Sequence, residues 1–401
     1  MFEKIKYCRI CKDQNLKELL ELGDFYLSGI FPSFKNQSLE KGPLTLVICY
    51  SCGLVQLGHQ YDMEKLFGDN YGYRSGLNRQ MVSHLNNFVD EIMEKESLKP
   101  SDLIIDIGAN DSTLLSRFPI NFTNLVGVDP TGNKFREFYP KHIKLIPEFF
   151  KAERFGSQKA KLITSFSMFY DLEDPLNFIK EVNEILHKDG VWVMEQSYLP
   201  LMIKNNAYDC ICHEHQEYYC LSQIKFLAKK VGLNILDISF NDTNGGSIRV
   251  TLGRRSVEKK RLVRDILKKE RCFRDLSNYS SFHKNLKNHK NGLITLLKDL
   301  KAKGKKVVGY GASTKGNITL QYCGINEDLL PEIFEVNDYK FNRFTPGSKI
   351  PILPEGEEKD VDYKLILPWH LKASFMEKEK NFLEKGGKLI FPLPNLEIVG
   401  G

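Results

Sequence analysis

Between Ser101 and about Val250 short apolar runs alternate with amphipathic segments. The runs Leu103–Ile107, Asn124–Val128, Ile143–Ile146, Leu162–Ser165, Val191–Glu195 and Ile248–Leu252 read as strands. Strands spaced by helical patterns predict a parallel sheet covered by helices, an α/β fold. Just before them, Met81, Leu85, Phe88, Val89 and Ile92 recur at helical spacing, predicting a helix over Ser75–Leu98. A second alternating unit begins at Lys305, with strands expected at Val307–Tyr310, Glu332–Val336, Lys364–Leu367 and Lys388–Phe391. Residues 1 to about 65 read as turn-rich. The stretch from Val257 to Leu300 is rich in Lys, Arg and Leu and lacks Gly and Pro before Gly292, as exposed connecting helices would. The expected division is an N-terminal module over residues 1–70, a central domain over 71–255 and a C-terminal α/β domain over 256–401, whose helical connector covers 256–303.

The 401 residues are 42% hydrophobic and 27% charged, the proportions of a folded globular chain. A net charge of +6 spread over this length suits an anionic ligand such as a nucleotide or nucleotide-sugar. It lacks the concentrated basic face of a nucleic-acid binder. Met1–Lys12 has no apolar signal core and no later run could span a bilayer, so a cytoplasmic protein without a membrane partner is expected. A monomer or weak oligomer is expected.

Four of the nine cysteines form two knuckles, Cys8-x2-Cys11 and Cys49-x2-Cys52. Two residues between thiolates let both turn onto one ion, and two such knuckles complete a tetrahedral zinc site. With all four positions filled, the ion is expected to be structural. Cys210, Cys212, Cys220, Cys272 and Cys323 show no ligand spacing.

The first strand of the central unit ends in Asp106-x-Gly108-x-Asn110. Glycine there lets a ligand approach the backbone at the carboxyl end of the strand. The later glycines of a dinucleotide fingerprint are absent. The D-x-G-x-N turn is instead that of Rossmann-like domains binding S-adenosyl-L-methionine (SAM). The next strand ends in Asp129, an acid placed to accept from both ribose hydroxyls. Phe149 and Phe150 after the third strand can flank an adenine, although core packing accounts for them equally well. Ser167 and Met168 follow the fourth strand, in a polar and aromatic patch running to Asp171.

Cys212-His-Glu-His-Gln-Glu-Tyr-Tyr219 places two histidines around a glutamate. Trp192-Val-Met-Glu-Gln-Ser-Tyr198 stands upstream and Asn244-Gly-Gly-Ser-Ile-Arg249 downstream. Together with the cysteine quartet, Tyr71-x-Tyr73-x-Ser75 and Gly309-Tyr-Gly-Ala-Ser-Thr-Lys-Gly-Asn317, the chain resembles the zinc-containing sugar C-methyltransferases of deoxysugar biosynthesis. That resemblance implies a class I methyltransferase domain between a zinc module and a C-terminal Rossmann-like domain closing over a nucleotide-linked sugar. It implies a 4-keto sugar, a base that removes the neighbouring C-3 proton, and attack of the enolate carbon on the SAM methyl. The family's base, the histidine closing the H-E-H run, corresponds to His215, and neutral imidazole suits proton abstraction near pH 7. Glu214 and Tyr73 would orient substrate or stabilise the enolate, with His213, Glu195, Tyr198 and Asn244 as further substrate contacts.

In the C-terminal unit the small residues of Gly309–Asn317 would expose backbone N–H groups to an anion. Ser313, Lys315 and Asn317 there, and Lys340 beyond the next strand, are expected to hold diphosphate or sugar. Cys212 stands where the deoxysugar enzymes usually have tyrosine, and Asn244 where they tend to have histidine. Those departures leave open an O-methyltransferase acting on a sugar or glycan. A zinc-bearing nucleic-acid-binding or regulatory protein is the reading of another class.

Overall fold

The structure is a computed structural model that describes residues 2–67, 71–256 and 259–400. Strands β1 (Phe2–Lys4), β2 (Leu16–Tyr26), β3 (Lys41–Cys49), β4 (Val55–Leu57) and β5 (His59–Tyr61) occupy the segment expected to be turn-rich. β2, β3 and β4 form an antiparallel meander, and β1 pairs with β5. β2 escapes a period-2 reading because its register against β3 shifts twice, at Glu18/Leu20 and at Glu21/Gly23. Each bulge moves the apolar residues to the other parity.

The expected helix runs over Arg79–Glu96. Asn78 caps it by accepting from the Gln80 and Met81 amides, and Ser97 ends it with φ 48°. Ser75–Leu77 is a separate single turn. The helix lays Leu85, Phe88, Val89 and Ile92 on one face of a seven-stranded sheet.

That sheet contains β6 (Leu103–Ile107), β7 (Leu125–Val128), β8 (Ile143–Ile146), β9 (Ala160–Phe166) and β10 (Leu186–Ser197). β11 (Glu217–Tyr218) leaves it to pair with β4, and β12 (Asn234–Asn241) and β13 (Ser247–Gly253) complete it. The order is β12-β13-β10-β9-β6-β7-β8, with β13 antiparallel to both its neighbours and the rest parallel. All five residues of β6 are buried, as both faces are covered. The crossovers from β6 to β9 hold only single 3-10 turns in place of the expected amphipathic helices; Pro119, Pro130, Pro140 and Pro147 interrupt them. Order reverses between β6 and β9, opening a crevice at their carboxyl ends.

The connector expected from Val257 begins outside the described residues. Its described part forms helices Lys260–Glu270 and Ser280–Ala302. They are not merely exposed: the second buries Phe282, Leu286, Leu293, Leu297 and Leu300. The last sheet has β14 (Val307–Tyr310), β15 (Ile333–Glu335), β16 (Ile352–Pro354), β17 (Tyr363–Ile366), β18 (Lys388–Phe391) and β19 (Glu397–Val399). Its order, β16-β15-β14-β17-β18-β19, reverses between β14 and β17. One hydrophobic cluster joins Leu44 and Leu46 of β3, Tyr208, and Tyr310 and Phe334 of this sheet, so the N- and C-terminal parts share a core. Among the described residues no helix is long and apolar enough to cross a membrane.

Candidate functional site

The four paired cysteines converge. Cys8 Sγ lies 3.5 Å from Cys52 Sγ and Cys11 Sγ lies 3.5 Å from Cys49 Sγ, with all four sulfurs within 4.8 Å of one another. Zinc–sulfur bonds of about 2.3 Å in a tetrahedron put sulfurs about 3.8 Å apart, so the set fits a zinc ion. Gly53 has φ 75° and donates its amide to Cys49 O at 2.7 Å, the tight turn that brings the second knuckle round. Four thiolates would fill the coordination of a zinc ion, which would then hold the module together and leave no open position for chemistry.

At the first reversal point lies a cavity of about 640 Å³. Asp106, Gly108, Asn110, Asp129, Phe149, Phe150, Ser167 and Met168 all line it. Asp129 Oδ2 accepts from the Asn110 amide at 2.7 Å, and Oδ1 accepts from the Thr131 amide at 2.7 Å and hydroxyl at 2.5 Å. The acid thus folds the turn on which it stands and keeps one lone pair, on Oδ2, for a ribose hydroxyl. Gly108 has φ 78°, and a Cβ there would come within 2.9 Å of Met168 Cγ. Asp106 accepts from the Thr164 hydroxyl at 2.6 Å, and burial pushes its pKa up to about 7. Phe149 is open to the cavity, while Phe150 packs against Phe178 with ring centres 5.4 Å apart. Asp171 also lines the cavity, with Oδ1 buried and without a hydrogen-bond partner. Burial, then the neighbouring Glu214 and Glu217, raise its pKa well above the carboxylate range.

Tyr73 stands in the cavity wall, and its carbonyl accepts from Asn110 Nδ2 at 3.3 Å. Tyr71 also lines the cavity, and its phenol lies in the fields of Asp171 and Glu214. The sequence motifs assign a role to Tyr73 and none to Tyr71 or Asp171. A signal is present, since Tyr71 opens the same Tyr-x-Tyr pattern and Asp171 closes the patch after the fourth strand.

His215 Nδ1 lies 2.8 Å from the Cys210 carbonyl, which can only accept, so Nδ1 carries the proton and Nε2 of the neutral ring is a free base. Its ring rests on Tyr170, with centres 4.3 Å apart. Burial, and secondly the charge of Lys315, push its pKa down to about 3. Glu214 is buried beside it in the chain, accepting from the Ser28 hydroxyl at 3.3 Å, and burial raises its pKa. Lys315 Nζ donates to Asn244 O at 2.7 Å, and Asn244 Nδ2 donates to Ser167 Oγ at 3.1 Å. This relay runs from the cavity edge to the second reversal point, where His370 also feels the Lys315 charge.

Other expected substrate contacts lie elsewhere. His213 is buried under the N-terminal sheet, with Nε2 3.3 Å from Gly42 O and its ring edge-on to Tyr61, and burial lowers its pKa to about 4. Glu195 binds His84 at 2.6 Å, Arg249 at 2.8 Å and Asn241 at 3.0 Å. It shares strand parity with Val191 and Val193 and so faces the covering helix. The Tyr198 hydroxyl donates to Glu270 at 2.7 Å, away from the cavity. Ser313 caps helix Thr314–Cys323 by accepting from the Gly316 amide. Asn317 donates to Ser28 O at 2.7 Å, and Lys340 donates to Ala312 O at 2.8 Å over the Phe31 ring. The protein's own groups hold these side chains, but Asn317 Oδ1 and His213 Nδ1 are buried without a hydrogen-bond partner.

Comparison with known proteins agrees with this layout. Family models match a zinc binding domain at residues 8–67, a methyltransferase domain at 74–238 and a C-methyltransferase C-terminal domain at 242–394. The curated C-methyltransferase NovU of Streptomyces niveus is 30% identical over 98% of this chain and 97% of its own length. Among solved structures, an S-adenosylmethionine-dependent methyltransferase from Clostridium acetobutylicum is 19% identical, covering 44% of this chain and 92% of that one, with a TM-score of 0.35. An O-methyltransferase family protein from Burkholderia thailandensis is 15% identical, covering 46% and 59%, with a TM-score of 0.34. A relationship along its whole length to NovU, with the matched domains in order, places this chain in the family of SAM-dependent C-methyltransferases that carry a zinc-binding module.

Proposed function

We propose that this enzyme methylates carbon next to a ketone in a nucleotide-linked keto-deoxysugar. The observation that carries the reading is the Nδ1–H tautomer that the Cys210 carbonyl imposes on His215, which leaves Nε2 as an unprotonated base beside Lys315. The sugar class rests on the resemblance carried by the H-E-H run and its flanking motifs.

SAM, held by Asp129 at the ribose, Phe149 at the adenine and the Gly108 turn, supplies an electrophilic methyl. His215 Nε2 takes the proton from the carbon next to the ketone as its C–H bond breaks. The carbonyl oxygen gathers the electron pair, and the Tyr71 phenol donates a hydrogen bond to it while Glu214 orients the substrate. The enolate carbon then forms the new C–C bond as the sulfur–methyl bond breaks, with the pair returning to sulfur. An anionic diphosphate bound near Lys315 would offset its charge and raise the basicity of His215.

The test is solvent exchange. Nucleoside-diphosphate 4-keto-6-deoxyglucoses bearing different bases are incubated in D2O with enzyme and S-adenosylhomocysteine. Deuterium is expected at the carbon beside the ketone, and the SAM reaction should place a methyl on that carbon. A methyl ether as product would overturn the reading in favour of O-methylation.

A further inference from the structure

His215 lies in a stretch without helix or strand, and the residues after it are held by a different part of the molecule. Gln216 and Glu217 run beside β4: the Leu57 amide donates to Gln216 O at 2.9 Å, and Glu217 stands opposite Gln56. The Gln216 amide donates to Tyr170 O at 2.7 Å, fixing the residue whose ring supports the His215 imidazole. Gln216 Nε2 donates to His213 O at 2.8 Å and closes the H-E-H turn.

The other end of this arrangement is Arg9, between the first two zinc ligands and only 4% exposed. Its Nη1 donates to Leu57 O at 2.8 Å. Its Nη2 donates to His59 O at 3.0 Å, Gln60 Oε1 at 3.2 Å and Gln216 Oε1 at 2.8 Å. Its Nε lies 3.6 Å from Glu217 Oε1. A guanidinium is planar and rigid, so acceptors met at several nitrogens at once fix one another's positions, which an ammonium cannot do. A second tie runs from Gln223 Nε2 to Cys52 O at 2.9 Å.

We propose that Arg9 is a positioning residue for methyl transfer: by clamping Gln216 and Glu217 to the zinc knuckle it sets where the His215 imidazole stands. The proposal rests on the reading of His215 as the base. Displacing a reacting group by about 1 Å costs on the order of 100-fold in rate.

The experiment uses the full-length zinc-loaded protein and its Arg9→Met and Arg9→Lys variants. Arg9→Lys keeps the buried charge and the Gln216–His213 bond but loses the planar fork that meets several acceptors at once, and it decides the matter if Arg9→Met does not fold. Zinc content is expected to stay at one ion per chain, and SAM affinity by calorimetry within about twofold of wild type. The ¹⁵N signals of the His215 ring, read with S-adenosylhomocysteine bound, should lose their Nδ1–H pattern, whereas kcat should fall roughly 100-fold with a smaller change in KM. Wild-type ring signals in both variants, or a kcat within threefold of wild type, would overturn the proposal. So would loss of zinc from both variants, which would make Arg9 a part of the metal site alone. Should His215→Asn retain normal transfer, the base assignment fails, while the ring signals still decide what Arg9 does.

Discussion

Among the described residues two mainly parallel sheets reverse their strand order, and the two reversal points are packed differently. Between β6 and β9 the loops stand apart and leave about 640 Å³, with a carboxylate oxygen of Asp171 unpartnered on its wall. Between β14 and β17 the loops close on themselves. A Cβ on Gly311 would come within 2.8 Å of Pro368, and one on Gly316 within 2.7 Å of Leu367 Cβ. Lys340 spends its charge on a backbone carbonyl. Lys315 reaches away, to Asn244 on the rim of the other crevice. Shared topology therefore does not imply the same packing around the reversal point. The second reversal point nevertheless buries Asn317 Oδ1 and His370 Nδ1 without a hydrogen-bond partner.

The comparison breaks most readily at the base. His215→Asn should cut methyl transfer about 100- to 10,000-fold while SAM affinity holds, because the imidazole lies outside the residues lining the cofactor cavity. Rapid-quench transfer assays with parallel calorimetry check this, and a parallel loss of SAM binding would merge two sites that the structure separates. Asp129→Ala should weaken SAM at least about tenfold, since hydrogen bonds to a charged group are worth roughly 1.5–3 kcal/mol each and the Asn110 turn loses its anchor too. Unchanged affinity in calorimetry would move the ribose contact elsewhere.

Lys315→Met tests the cation that reaches from the C-terminal domain to Asn244. Substrate KM should rise several-fold with SAM affinity unchanged. Because Lys315 lowers the His215 pKa, its removal raises that pKa, and the acid limb of kcat/KM should move to higher pH. In wild type the limb due to His215 starts low, near pH 3 in the free enzyme, and should lie higher in kcat, where bound diphosphate offsets the lysine. A limb that stays put in pH profiles of the variant would detach Lys315 from the base. The smallest effect is expected at Gly316→Ala, which should cost about 1–3 kcal/mol of stability through overpacking, seen as a lowered melting temperature, and leave SAM binding intact. Stability equal to wild type would mean that the second crevice has room after all.

The same divide separates the legible residues from the hidden ones. The eight residues expected at the cofactor line one cavity, and they are legible because they stand at or just after the carboxyl ends of four strands, so local order along the chain maps onto one edge of one sheet. The substrate side is not, because it depends on which face a residue takes and on contacts far along the chain. Strand parity turns Glu195 away from the site. His213 is drawn off because a segment from the middle of the chain completes an N-terminal sheet, which no local pattern reports. Lys315 and Asn244 stand out separately in the sequence, but only the folded chain shows them bonded to each other.

The pairing of β11 with β4 has a consequence for synthesis. The strand that completes the first sheet emerges about 160 residues after the one it pairs with. At roughly 5–20 residues per second the ribosome needs on the order of 10–30 s to deliver it. Through that interval the knuckles can already bind their ion, yet β4 presents an open edge and the buried guanidinium between the ligands lacks Gln216. The nascent N-terminus is metal-loaded before it is finished, and an open edge invites pairing with another chain. Its burden on the cell's chaperones therefore falls during translation of the methyltransferase domain, well before the C-terminal domain exists.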